Sequence, residues 1–237
     1  MTRRLLIAAV AAAAFASCYA GLAVIEGDLL DWRIRRVQES EKAPGWIKMH
    51  RREDLYFAFG GTAEQAIWAL RAWCEPTVIT ALCGALLALE AGRRRLTHPA
   101  RLLLALTLAF GAAHAVKSGV ARLRPIAADA HGAGPPWPGS WFPDPEQTTR
   151  YERASFPSSH AAAAMAVSCI LFRLYPRLGW VVIPYGLGAA ATRFLTLSHW
   201  PTDILVGAVL GWAAGEIVTA AAARIETGNP PPPPGDL

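Results

Sequence analysis

Of the 237 residues, 53% are hydrophobic and only 17% are charged, and the formal net charge is +5. Several uncharged apolar runs approach the ~20 helical residues needed to cross hydrocarbon, which marks an integral membrane protein. Unbroken runs exclude a β-barrel, whose strands would alternate in polarity. Basic residues gathered in loops, not in a stripe, argue against nucleic acid as a partner.

In chain order, residues 1–25 read as a first transmembrane span. The apolar run Leu5 to Ile25 exceeds the about 7–15 residues of a signal-peptide core, so it is read as retained. Residues 26–73 read as an outer loop followed by an interfacial helix. Glu26 to Asp54 mixes both charges, while Leu55 to Trp73 carries Tyr56, Phe57, Phe59, Trp68 and Trp73, a composition suited to the headgroup region. Residues 74–225 form a core with five further spans. The uninterrupted part of the second span, Thr77 to Leu89, is short for a bilayer, so its helix must begin earlier, near Ile67, with a bend at Pro76.

The third span runs from Leu102 to Lys117, the fourth from Ser159 to Leu174, the fifth from Leu178 to Leu197 and the sixth from Pro201 to Ala223. Arg122 to Phe156 is a long loop, and residues 226–237 form a Pro-rich, extended tail. The expected fold is all-α, an integral membrane six-helix bundle. Gly207, Gly211 and Gly215 recur every four residues and predict close helix packing. Glu216 and Arg173 predict an ion pair between the sixth and fourth spans. Cys18, Cys74, Cys83 and Cys169 form no CxxC pair and read as small packing residues.

The short basic turns (Arg3 and Arg4, Arg93–Arg95, Arg101, Arg173, Arg177, Arg224) fall on one side, which the positive-inside rule makes cytoplasmic. Three polar clusters then share the outer face. The first is Lys-Ser-Gly-Val-Ala-Arg-Leu-Arg-Pro, Lys117 to Pro125. Lys117 and Arg124 are seven apart, two helical turns, so one helix face could hold both about 10 Å apart, with Pro125 ending the helix. Arg supplies a planar fork and Lys a point charge, a pair that suits phosphate.

The second cluster, Phe156-Pro-Ser-Ser-His160, opens the fourth span. Serines there are ordinary caps, yet a helix N-terminus also binds anions. Ser158 and Ser159 could donate to one, and His160 stands in the first turn as a general acid. The third cluster is Arg193, His199 and Asp203. Pro201 suits the first position of a helix, which places Asp203 in the first turn, within reach of His199. A carboxylate on one ring nitrogen fixes the tautomer and makes the other a better nucleophile. The plainer account is a helix cap beside an interfacial histidine.

Together these groups fit phosphoryl transfer through a covalent histidine intermediate. Two histidines and an aspartate could also hold a metal, but Lys117, Arg124 and Arg193 would repel it and no HExxH motif is present. No metal or cofactor is expected.

The ordered patterns K-x6-R-P (Lys117, Arg124, Pro125), P-S-x-H (Pro157, Ser158, His160) and R-x5-H-x3-D (Arg193, His199, Asp203) resemble the type 2 phosphatidic acid phosphatase superfamily. The resemblance covers about residues 75 to 225. It implies a six-helix membrane fold and metal-independent hydrolysis of lipid phosphates or pyrophosphates. It further implies His199 as the phosphorylated nucleophile, Asp203 as its orienting acid and His160 as proton donor to the leaving oxygen. Lys117, Arg124, Ser158 and Arg193 would bind phosphoryl oxygens, with Ser159 beside them.

Two positions depart from the family pattern. Ser159 stands where glycine is usual, and Thr192 where serine is usual. The expected localisation is a bacterial inner membrane, and the orientation places the site facing the periplasm or outside. A lipid-linked phosphotransferase and a non-catalytic lipid transporter are the alternatives on the same site.

Overall fold

The computed structural model describes residues 12–23, 26, 47–51, 55–59, 85, 97–130, 140–195 and 198–227. Its elements are helix α1 (Ala12–Ala23), strands β1 (Ile47–Arg51) and β2 (Leu55–Phe59), then helices α2 (Thr97–Gly119), α3 (Pro125–Ala130), α4 (Ser159–Leu174), α5 (Gly179–Leu195) and α6 (Pro201–Thr227). A 3-10 turn, Pro176–Leu178, joins α4 to α5. All of the second span but residue 85, the Arg93–Arg95 turn, Pro135–Gly139, most of the first loop and residues 228–237 of the Pro-rich tail lie outside the described residues, while residues 226 and 227 continue the last helix.

The segments expected to be the third to sixth spans are helical, forming α2, α4, α5 and α6. Pro201 occupies the first position of α6, where its missing N–H and fixed φ cost nothing. Of the described helices, two are long and apolar enough to cross a membrane, Thr97–Gly119 and Pro201–Glu226; Ala12–Ala23 and Ser159–Leu174 are shorter apolar helices.

Two expectations are corrected. Among the described residues the fold is helical, as expected, except for one antiparallel hairpin, β1–β2, pairing Ile47 with Phe59 and Arg51 with Leu55. Leu55–Phe59 was expected to be helical, but Tyr56, Phe57 and Phe59 have strong strand preference and find a pairing partner in β1. In addition, α2 stops at Gly119 and Pro125 opens α3 instead of ending a helix. Lys117 and Arg124 therefore do not share a helix face. Beyond Gly119 the chain turns into an extended segment held by main-chain hydrogen bonds from Arg122, Leu123 and Arg124 to residues 140–153.

The chain divides into two compact units. One comprises Met1–Ala66, Val116–Pro157 and Arg193–Leu205; the other comprises Ile67–Ala115, Ser158–Thr192 and Val206–Leu237. The second unit contains the helical core. Leu102, Ala105, Ala109 and Ala113 of α2 pack with Ala162, Ala163, Ala166, Val167 and Ile170 of α4, and with Ala214 and Val218 of α6. Helix α4 is buried along its length from Ala161 to Leu171. A helix apolar on every side suits a central position.

The α4–α6 contact is set by glycine. A Cβ on Gly207 would lie 2.3 Å from the Ser158 carbonyl oxygen, and one on Gly211 would lie 2.0 Å from that of Ala162. At Gly215 it would meet Cys169 Sγ at 2.6 Å. The four-residue repeat thus brings backbone against backbone, as small residues allow in membrane helices. Further along the same pair, Arg173 Nη2 donates to both Glu216 oxygens at 2.6 Å and Nε donates to Oε1 at 3.0 Å. That is the expected ion pair between the sixth and fourth spans.

Because backbone atoms cannot step aside as a side chain can, G211A should lower the thermal midpoint in detergent, costing about 1–3 kcal/mol. G111A, where nothing lies within 4 Å of the added methyl, should leave it unchanged or raise it, because alanine favours a helix interior over glycine. Equal midpoints for G211A and the wild type would contradict the packing account.

Candidate functional site

In the first unit, a short extended segment after α2 forms the foundation. Arg122 N–H donates to Arg153 O at 3.0 Å and Arg124 N–H to Glu152 O at 2.8 Å, while Leu123 N–H donates to Ser140 O at 2.7 Å. The segment is thus held from both sides, and Arg122 forms backbone bridges to Trp141 and to Ala154. Alternation along it sends neighbouring side chains in opposite directions.

Arg122 is 1% exposed. Its Nη1 donates to Asp203 Oδ1 at 2.5 Å and to Thr202 Oγ1 at 2.7 Å, and its Nη2 donates to Glu26 Oε2 at 2.8 Å. The guanidinium also lies over the rings of Trp141, at 4.6 Å, and Trp200, at 5.0 Å, contacts favourable to a cation. Glu26 and Asp203 are as deeply buried. Ionised carboxylates that deep are tenable because the cation and several N–H and O–H donors face them.

The start of α6 is built around the same acids. Asp203 Oδ2 accepts from the Trp200 N–H at 3.0 Å. An acid at the third helical position reaching back to the cap N–H is half of a capping box. Glu26 Oε1 accepts the Thr202 N–H at 2.7 Å and also the Thr202 hydroxyl. A residue 176 positions away in sequence therefore caps this helix.

His199 sits just before that helix, 1% exposed. Its backbone N–H and that of Ser198 both donate to the carbonyl of Arg193 at the end of α5, at 3.2 and 3.0 Å. In the ring, Nδ1 lies 2.7 Å from the Ser155 carbonyl oxygen and 3.8 Å from Asp203 Oδ2. A carbonyl can only accept, so Nδ1 carries the proton and Nε2 presents a lone pair. Asp203 is linked through Ser155 instead, whose hydroxyl donates to Oδ2 at 2.5 Å. Burial pushes the His199 pKa down to about 4, outweighing the upward pull of Asp203, and the nearby Arg124 and Lys117 charges add to the fall.

Two further cations are held by carbonyls, bonds that fix a side chain without cancelling its charge. Lys117 Nζ donates to Ala154 O at 2.8 Å. Arg124 donates from Nε to Tyr151 O at 3.0 Å and from Nη1 to Ser198 O at 3.1 Å, and its guanidinium lies 4.1 Å over the Tyr151 ring. Arg193 is in the last turn of α5 and is buried. Thr192 turns inward, donating to Ala189 O within its own helix at 2.6 Å.

Of the eight residues singled out from sequence, Lys117, Arg124, Arg193, His199 and Asp203 lie in this unit. Ser158, Ser159 and His160 lie in the other, at the start of α4. There Ser158 is the N-cap, its hydroxyl oxygen accepting the Ala161 N–H at 3.3 Å, with Ser159 and His160 following in the first turn. The sequence reading missed Glu26, Arg122 and Ser155. An acid directly abutting an apolar run was the available signal for Glu26, and the helix-ending Gly119 for Arg122. Nothing local marks Ser155. Among the described residues, no group of three His, Cys, Asp or Glu side chains gathers as a metal site would require.

Undecaprenyl-diphosphatase BcrC of Bacillus subtilis (strain 168) is 32% identical over 62 residues, 26% of this chain; the match spans 32% of that relative's length. The crystal structure of Aquifex aeolicus LpxE aligns with a TM-score of 0.49 at 18% identity, covering 66% of this chain and 84% of that one. The model of the PAP2 superfamily matches residues 98–225, more than half of the chain, a range that includes the positions of Lys117, His160 and His199. The chain belongs to the PAP2 superfamily.

Proposed function

We propose that the protein is a membrane phosphatase that hydrolyses a lipid phosphate or pyrophosphate through a phosphohistidine on His199. Membership of the PAP2 superfamily and the similarity to an undecaprenyl-diphosphatase support the substrate class. The observation that carries the mechanism is the His199 Nδ1 contact with the Ser155 carbonyl. It leaves Nε2 as a lone pair on a ring kept neutral by burial, which is what a nucleophile at neutral pH requires.

In this reading Nε2 attacks phosphorus, and the bond from phosphorus to the lipid or leaving phosphate oxygen breaks. His160 gives that oxygen a proton. Water then attacks the phosphohistidine and passes a proton to His160, and phosphate departs with Nε2 restored. Lys117, Arg124 and Arg193, with Ser158, Ser159 and the amino end of α4, would hold the phosphoryl oxygens as negative charge builds on them. Asp203 would orient His199 and stabilise it as charge develops. No cofactor enters the scheme.

The two long apolar helices support a membrane setting. The finer reading is a six-span bundle in a bacterial inner membrane with the site on the outer face. The lipid headgroup would reach the site while its chain stays in the bilayer.

H199A should release no phosphate from a panel of phosphatidic acid, phosphatidylglycerol phosphate and undecaprenyl pyrophosphate. Rapid quenching of the wild type should trap an acid-labile, alkali-stable phosphoenzyme that H199A lacks. Turnover by H199A at the wild-type rate would end the covalent mechanism.

His199 should set an acid limb in kcat/KM near pH 4, well below the 6.5 of an ordinary histidine. The alkaline limb would report loss of the His160 proton. The same shift predicts a stability trend. Between about pH 6.5 and 4 the unfolded chain takes up a proton at His199 more readily than the folded one. The contribution is therefore complete above the unfolded pKa and shrinks as pH falls. The thermal midpoint in detergent should drop from pH 7 to 5, and drop less in H199Q; matching slopes would contradict the burial argument.

A further inference from the structure

We propose that Glu26 and Arg122 are positioning residues for the His199–Asp203 pair, which makes the amino-terminal segment part of the working site. The proposal rests on the phosphatase reading above and extends it to residues outside the three motifs.

Glu26 follows α1 by three positions and is 1% exposed, in a chain segment whose composition reads as span and loop. Both of its oxygens are committed. One takes the Thr202 N–H and hydroxyl at the start of α6, and the other takes Arg122 Nη2. Arg122 in turn holds Asp203 Oδ1, while Oδ2 takes the Ser155 hydroxyl and the Trp200 N–H. The Ser155 carbonyl then receives His199 Nδ1. Hydrogen bonds therefore link Glu26 to Ser155 through Arg122 and Asp203, and the covalent frame of Ser155 carries the link on to the carbonyl that holds the imidazole.

The charges explain why both residues are needed. A lone carboxylate at Asp203, fully buried, would be expensive to keep ionised. Arg122 supplies the positive charge, but its guanidinium presents several donors in a fixed plane. The far edge of that plane needs an acceptor, or the fork can rotate away from Asp203. Glu26 is that acceptor, and it also fixes the first turn of α6, which carries Asp203. Lysine could replace the charge of Arg122 but could not span Thr202, Asp203 and Glu26 in one plane.

The test uses full-length protein in detergent and whichever lipid of the panel the wild type turns over fastest. E26Q keeps the side-chain shape but places an amide donor against either Arg122 or Thr202. We expect kcat to fall about 10-fold or more, the loss of a hydrogen bond to a charged group, with KM changed less than about twofold and partial rescue in E26D. In a D203N background, E26Q should add less than about twofold, because its effect acts through Asp203. T202V, close to isosteric, should give a smaller kcat loss of the same kind, and it carries the test if E26Q does not fold.

A purely structural role would instead lower the folded fraction, equally in the wild-type and D203N backgrounds, and leave kcat per folded molecule unchanged. That pattern overturns the inference, as would wild-type kcat in both E26Q and T202V. A wild type inactive on every lipid would sink the phosphatase reading, and this inference with it.

Discussion

One buried guanidinium, that of Arg122, is the constraint on which the described site depends. It lies between two carboxylates from opposite ends of the chain, Glu26 and Asp203, and against two indole rings. Breaking such a buried group by removing one partner costs about 3–5 kcal/mol, because the remaining charge is left without compensation. The neighbouring backbone reflects this. Residues 122–124 are held on both sides by main-chain hydrogen bonds, so the guanidinium is delivered from a rigid segment and not from a mobile loop.

From that point the site is assembled through groups with two tasks. Asp203 accepts the cap N–H of its own helix and also faces Arg122 and Ser155. The role of helix cap and the role of functional carboxylate, which looked like alternatives from the sequence, coincide in one side chain. Arg193 likewise lends its carbonyl to the loop that bears His199. In the other unit, small residues do a different job, bringing α4 and α6 to backbone contact.

What could be read from the sequence divides along a physical line. Local signals held where a decision is local: Pro201 at the first position of its helix, Ser158 as an N-cap before an alanine-rich run, and the glycine repeat as a packing face. The Arg173–Glu216 pair was legible because isolated charges in apolar helices need partners. The helical spacing assumed for Lys117 and Arg124 failed, since periodicity cannot show that a helix stops between them. Glu26, Arg122 and Ser155 stayed hidden because their contacts join residues 44 to 176 positions apart. Sequence pattern holds no record of pairings at that distance. The hairpin was missed for a related reason, as strand pairing depends on a partner as much as on propensity.

The acceptor that holds the imidazole is a main-chain oxygen, contributed by Ser155. No single amino-acid replacement at that position deletes a carbonyl, so the tautomer of His199 is insulated from point mutation in a way that a side-chain carboxylate would not be. Drift at position 155 could alter the tie to Asp203 while the imidazole keeps its orientation. Its vulnerability lies in the backbone path, and changes that reroute residues 153 to 157 would disturb the ring more than any exchange of side chain there.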